Sequence, residues 1–198
     1  MFGRVLSESA EKSLALLGKS KILEFAYLAG GTAAALHMGH RYSYDFDFFT
    51  PKKFNAKALA NKLLKLLPDF HFEKHEEGTI LGKIYETKFS LFYYEYPILY
   101  KLHNYRGIKV LDIKDIASMK ISAIRDRGLK RDFIDLYFIC CKEKILTVKE
   151  TIILFNKKFN TYDEDIITVL MSLVYFDDAE DNLNPKVIKP IKWIDVKK

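Results

Sequence analysis

Apolar positions recur at helical spacing from Leu6 to Leu17 and then gather in LEFAYLAGG (residues 23–31), which reads as a short buried strand ending in a glycine turn. TAAALHMG (32–39) is made of good helix formers and stops at Gly39. YSYDFDFFT (42–50) predicts an aromatic strand closed by Pro51, and NAKALANKLLKLL (55–67) an amphipathic helix capped by Asn55. From Phe70 to Pro97 polar residues alternate with apolar or aromatic ones around Gly78, the pattern of two or three antiparallel strands. At Asp112 the period returns to that of helices: IKDIASMKISAIRDR, a break at Gly128, KRDFIDLYFICCK, and two weaker helices through Leu173. The tail from Asp177, with two prolines and mixed charge, reads as an irregular arm anchored by Trp193. These elements predict an α+β protein with a core over residues 1–110 and a helical portion with an irregular tail over 111–198.

Composition changes this picture little. At 198 residues and 49% hydrophobic content the chain can fill a core without covalent staples. Its two cysteines, Cys140 and Cys141, are adjacent, which rules out a disulfide framework and points to a reducing, cytoplasmic setting. No segment approaches the ~20 apolar residues of a membrane span, and the N-terminus lacks the pattern of a signal peptide. A net charge of +6 is compatible with a polyanionic partner without demonstrating one.

Candidate chemistry sits between Tyr27 and Thr50. A strand alternates its faces, so Asp45 and Asp47 project to one side while Phe46 and Phe48 point into the core. Two parallel carboxylates suit Mg²⁺ or Mn²⁺, which complete their shells with water and substrate phosphates. Two such ions, ~3.5–4 Å apart, can activate an attacking hydroxyl and neutralise a leaving pyrophosphate. Where a strand turns into a helix at Gly30 and Gly31, free N–H groups and the helix dipole attract phosphate, and the Thr32 hydroxyl is available to add a donor. Alone, a Gly-Gly pair is usually only a turn and a D-x-D only a polar strand face. Their order and spacing carry the reading. There is no G-x-x-x-x-G-K-[ST] and no G-x-G-x-x-G.

LAGGTAAALHMGHRYSYDFDFFT resembles the nucleotidyltransferase superfamily, marked by a G-[GS] turn followed by h-D-x-D-h (h, apolar). The resemblance extends to the toxin branch of AbiE abortive-infection and type IV toxin-antitoxin systems, whose His, Arg, Ser, Asp, Asp pattern falls on His40, Arg41, Ser43, Asp45 and Asp47. Downstream, IKDIASMKISAIRDRGLKRDFIDLYFI resembles that branch's lysine and R-D-x-x-D-L signature. It implies a mixed-sheet core with a helical C-terminal portion, NTP as substrate, a divalent metal, an acceptor such as tRNA or protein, and a cognate antitoxin. By position, Lys120 would contact phosphate and Asp132 would support the site, beside Arg131 and Asp135. One departure concerns the third carboxylate that superfamily members usually carry on a neighbouring strand: TKFSL has Ser90 there. Glu86 is four residues, or about 13 Å, away along a strand at ~3.3 Å per residue, a poor substitute.

Other features have ordinary explanations beside functional ones. Asp132 and Asp135 share a helix face, which by itself fits a solvated surface with Arg131 and Asp135 as an i,i+4 pair. Lys120, Arg125, Arg127, Lys130 and Arg131 cluster around Gly128 and suit either phosphate or the end of a helix. Tyr93, Tyr94, Tyr96 and Tyr100 are candidates for stacking a base. His37, His40, His71 and His75 form no zinc pattern. The sequence supports a metal-dependent nucleotidyltransferase, with two rivals: a degenerate nucleotide- or RNA-binding module, and a protein that acts through a protein partner.

Overall fold

The computed structural model describes residues 1–161 and 163–198. Helix α1 (Glu8–Ser20) begins where the Ser7 hydroxyl accepts a 3.2 Å bond from the Ala10 N–H. There follow β1 (Tyr27–Leu28), α2 (Gly30–Met38), β2 (Asp45–Thr50) and α3 (Ala56–Leu66). Asn55 caps α3 as the sequence predicts, its side-chain oxygen accepting from the Ala58 N–H at 2.9 Å. Strands β3 (Phe70–Glu76), β4 (Thr79–Ile84) and β5 (Thr87–Tyr93) form the antiparallel meander, turning at Gly78 with φ +74°. A second hairpin joins β6 (His103–Tyr105) to β7 (Ile108–Val110).

These strands make one mixed sheet in the order β3-β4-β5-β2-β1-β7-β6. Two neighbours run parallel, β2 with β5 and β1 with β7. The helical half comprises α4 (Ile113–Arg127), α5 (Lys130–Tyr137) passing into a π turn over Phe138–Lys142, α6 (Val148–Phe159), α7 (Asp163–Val174) and two short pieces, α8 (Asp177–Glu180) and α9 (Trp193–Val196). Gly128 ends α4 in the left-handed region, φ +52°, its N–H donating to the Ile124 carbonyl at 2.9 Å. The protein is α+β, as expected. Among the described residues no helix is long and apolar enough to cross a membrane.

Phe46 and Phe48 on β2, and Phe89 and Leu91 on β5, are fully buried and form the centre of the core with Leu28 and α2. The alternation of β2 thereby fixes the other face: Asp45 and Asp47 emerge on the side that the helical half approaches.

Two parts of the sequence reading change. The run 23–31 gives only a two-residue strand, because Leu23 and Lys21 accept turn bonds from Ala26 and Glu24, and Gly30 and Gly31 belong to the first turn of α2. The sequence pattern does not show the β6–β7 hairpin. Its strands are three residues each, and its Arg106-Gly107 turn has both φ values positive, 51° and 83°, which matches the strand twist.

The tail is irregular but fastened. Tyr42 N–H donates to the Lys186 carbonyl, Ile188 and Lys189 donate to the His40 carbonyl, and Arg41 bridges Val187. Trp193 packs against Phe133 and Phe176 under the Lys130 ammonium, the anchor that the sequence suggests.

Candidate active site

Asp45 and Asp47 line one wall of an open cleft of about 1080 Å³. The opposite wall is α4 from Ile116 to Arg127, then Leu129 and, at the start of α5, Arg131 and Asp132; the tail from Asp181 to Lys186 crosses one side. Beyond the carboxylates, Phe49, Phe92 and Tyr94 extend the sheet wall, with Phe49 edge-on to Tyr94 at 5.0 Å.

Gly30 and Gly31 stand beside the carboxylates, and the lack of a Cβ decides their contacts. Gly30 has φ +64°, and a Cβ there would lie 2.6 Å from the Asp47 carboxylate. A Cβ on Gly31 would lie 2.4 Å from the Arg41 guanidinium. The glycines therefore let α2 begin directly against Asp47, with no side chain at Ala29 capping its free amides. Thr32 differs from expectation. It is buried, its hydroxyl donating to the Asp45 carbonyl and sharing a 2.8 Å bond with Ser43, so it braces the strand behind the first carboxylate.

The downstream residues form a buried charge network. Asp135 is fully buried and accepts from both sides of the Arg41 fork, Nε at 2.6 Å and Nη2 at 2.8 Å. His40 Nε2 donates to the same carboxylate at 2.7 Å, and Lys120 Nζ lies 2.6 Å from its other oxygen. Lys120 also donates to Asp132 at 2.7 Å, and Asp132 accepts from Arg127 at 3.2 Å. The solvated-face alternative for Asp132 and Asp135 is thus wrong. The sequence shows that they share a face, not that α5 turns that face into the protein. The Arg131–Asp135 pair is also absent: Arg131 points across the cleft to Asp45, 3.7 Å away.

The network's charges are set by its geometry. Burial by itself would raise the Asp135 carboxyl, but Arg41 and Lys120 hold it well below the usual carboxylate range. Asp132 is lowered in the same way, against burial, by Lys120 and Arg127. Burial would depress the Lys120 ammonium, and its two carboxylates raise it above normal. Asp47 goes the other way. Burial first and the Asp45 charge second push its carboxyl up, with only partial relief from Lys120, Arg127 and Arg131.

That imbalance is what a divalent cation would relieve, so the donor set fits Mg²⁺ or Mn²⁺ through Asp45 and Asp47. No cluster of three or more acidic, His or Cys side chains with metal-site geometry exists among the described residues. Any ion here would draw its remaining ligands from phosphate and water. The third position is Ser90, which pairs directly with Asp47 across β2 and β5 and lines the cleft. Glu86 precedes β5 and plays no part in the cleft lining.

The basic cluster divides. Lys120, Arg127 and Arg131 face the cleft, whereas Lys130 is bound to the Glu180 and Asn182 carbonyls and Arg125 lies over Phe155. Of the tyrosine candidates, Tyr94 reaches the cleft, while Tyr93, Tyr96 and Tyr100 do not line it. Sequence reasoning missed Ser122 and Asp126 on α4, and the tail residues Asp181 to Lys186, as cleft residues. The helical period of α4 places 122, 123 and 126 on one face with Lys120 nearby, a usable signal; nothing in the tail's sequence announces its path.

No protein-family model matches the chain. Solved structures share its fold: JHP933 from Helicobacter pylori, with a TM-score of 0.54 and 22% identity over 90% of this chain and 86% of that one; and MenT4, a nucleotidyltransferase toxin of Mycobacterium tuberculosis, with a TM-score of 0.54 and 14% identity over 96% and 83%. The antibiotic-resistance factor ANT(2'')-Ia gives a TM-score of 0.56 at 10% identity, covering 80% of this chain and 97% of that one. These likenesses establish a nucleotidyltransferase-like fold. With 38% identity over 184 residues, covering 91% of this chain and 87% of its relative, the protein belongs to the family of the uncharacterized protein aq_aa25 of Aquifex aeolicus.

Proposed function

We propose that the protein is a metal-dependent nucleotidyltransferase that moves NMP from an NTP to an acceptor hydroxyl. The observation that carries this reading is the juxtaposition of Gly30 with Asp47: the uncapped start of α2 and a same-face carboxylate pair meet at one point in a cleft whose far wall presents Arg127 and Arg131. The amides of Gly30 and Gly31 bind phosphate at the helix start. Asp45 and Asp47 would hold Mg²⁺ or Mn²⁺, which when bound supplies charge neutralisation at the α-phosphate and at the leaving pyrophosphate. Arg127 and Arg131, at the cleft surface, offset charge on the β- and γ-phosphates. Lys120 is held by two carboxylates and acts at shorter range, stiffening α4 against α5 and adding positive potential near Asp47.

The acceptor oxygen attacks the α-phosphorus as the bond to pyrophosphate breaks, and the acceptor proton passes to water in the cleft. Phe49, Phe92 and Tyr94 offer an apolar wall for a base or acceptor ring. By the resemblance of its motifs to the AbiE-type branch, and with MenT4 sharing the fold as a named toxin, the setting we favour is a toxin of an abortive-infection or toxin-antitoxin system acting on RNA or tRNA in the cytoplasm beside a cognate antitoxin.

Ser90 supports one rival: opposite Asp47, a serine cannot ligate metal or take a proton as a carboxylate does, which favours a nucleotide-binding module without turnover. Transfer of label from each α-labelled NTP to total tRNA and to protein, with Mg²⁺ or Mn²⁺, separates the two. Label that disappears in Asp47→Asn supports transfer. Silence of wild type with all four nucleotides, alongside NTP binding, supports the module.

A further inference from the structure

Helix α7 is apolar on both sides but buried on only one. Its inner side packs Val169 and Leu173 against Phe155, Ile121 and Ile124. Its outer side carries Ile167, Leu170, Met171 and Val174, spaced i, i+3, i+4, i+7 and exposed by 64, 49, 66 and 72%, with Tyr175 continuing the stripe. An apolar helical stripe of this width is the mark of a buried face. Charge distinguishes what would bury it. Residues 159–185 hold seven acidic side chains and no Lys, Arg or His, a local charge of −7 in a chain of net +6. Just past the C-terminal end of the stripe stand Asp177, Asp178 and Asp181, with Glu180 among them paired to Lys197 at 2.6 Å.

We infer that the outer face of α7 is a docking site for a basic amphipathic helix of another protein. Its apolar side would cover the stripe, and its Lys or Arg residues would meet the acidic end at Asp177 and Asp178. The same charges exclude other occupants. RNA and anionic lipid are repelled by this acidic end. A second copy of α7 would bring the same apolar stripe and the same acidic end, with no Lys, Arg or His in residues 159–185 to meet it. None of the stripe residues lines the carboxylate cleft, although Asp181 at its edge does, so the inference does not depend on the transferase reading.

The test uses the full chain and a fluorescent Leu/Lys peptide of about 18 residues, five helical turns at ~3.6 residues each. Controls are a scramble of the same composition and a Leu/Glu version. The expected result is binding of the Leu/Lys peptide that weakens about tenfold or more in Met171→Gln/Val174→Gln, with the variant's melting temperature unchanged and wild type monomeric by light scattering. Binding should also weaken with added salt. No binding of the Leu/Lys peptide, equal binding by the variant, or equal binding of the scramble overturns the inference. So does a wild-type dimer that the two substitutions dissociate, which would assign the face to a second copy.

Discussion

Replacing Asp135 by Asn tests whether the charge network behind the cleft is as tightly coupled as its geometry indicates. Two cations, Arg41 and Lys120, face two carboxylates, Asp132 and Asp135, all of them at most a few per cent exposed. Asparagine keeps the shape but removes one negative charge. Arg41 and Lys120 are then left with Asp132 alone, and one side-chain NH₂ is turned towards donors at 2.6 to 2.8 Å. Breaking a buried pair on one side costs about 3–5 kcal/mol. At ~2–4 °C per kcal/mol for a chain of this size, the melting temperature should drop by about 6–20 °C. Urea unfolding followed by circular dichroism gives the free energy directly. Lys120→Met should cost less, because Asp135 keeps the Arg41 fork and Asp132 keeps Arg127. The double variant restores charge balance, so its cost should fall short of the sum by about 0.5–3 kcal/mol. A single Asp135→Asn variant within about 1 kcal/mol of wild type, or strict additivity in the cycle, would refute the reasoning.

Further outcomes follow from the same geometry. Gly30→Ala should lower stability by about 1–3 kcal/mol and weaken metal binding, since its φ of +64° is strained for alanine and the new Cβ meets Asp47; unfolding and Mn²⁺ titration check both. Asp47, whose carboxyl is raised, contributes stability below the unfolded carboxylate pKa of ~3.9 and loses it as pH rises through its folded value, so Asp47→Asn should raise the urea midpoint at pH 7 and not below pH ~4. Asp132 and Asp135, whose carboxyls are lowered, contribute stability above ~3.9 that is lost as pH falls through their folded values; in Asp135→Asn that loss should shrink to the Asp132 share when midpoints are measured against pH. Ser90→Asp should tighten Mn²⁺ binding by adding a carboxylate beside Asp47, as calorimetry would show; unchanged affinity would mean that the β5 position does not face the ion.

Much of the fold is legible in the sequence because its signals are local. The polar-apolar alternation of β2 forces Asp45 and Asp47 to one face once Phe46 and Phe48 are buried, and Asn55, Gly78 and Gly128 mark boundaries by cap and turn chemistry. What stayed hidden depends on contacts between distant segments. Asp135 meets Arg41 across 94 positions, so a helix face that looks solvated on its own period is in fact the floor of the charge network. The Lys158–Asp115 pair, fully buried and joining α4 to α6, is invisible for the same reason. The sequence puts Gly30 and Gly31 near the carboxylates without showing that their close neighbours are Asp47 and Arg41 of the chain itself. The tail's path over the cleft rests on backbone bonds to His40 and Tyr42, which carry no sequence signature.

The central claim is that Asp45, Asp47 and the start of α2 form one metal-nucleotide site. Isothermal titration of each NTP into the protein, with and without Mg²⁺, for wild type and Asp47→Asn, tests it most directly. At least one NTP should bind wild type substantially more tightly with Mg²⁺, and the metal's effect should be lost in Asp47→Asn. Equal affinity with and without metal in wild type, or an undiminished metal effect in the variant, would contradict it.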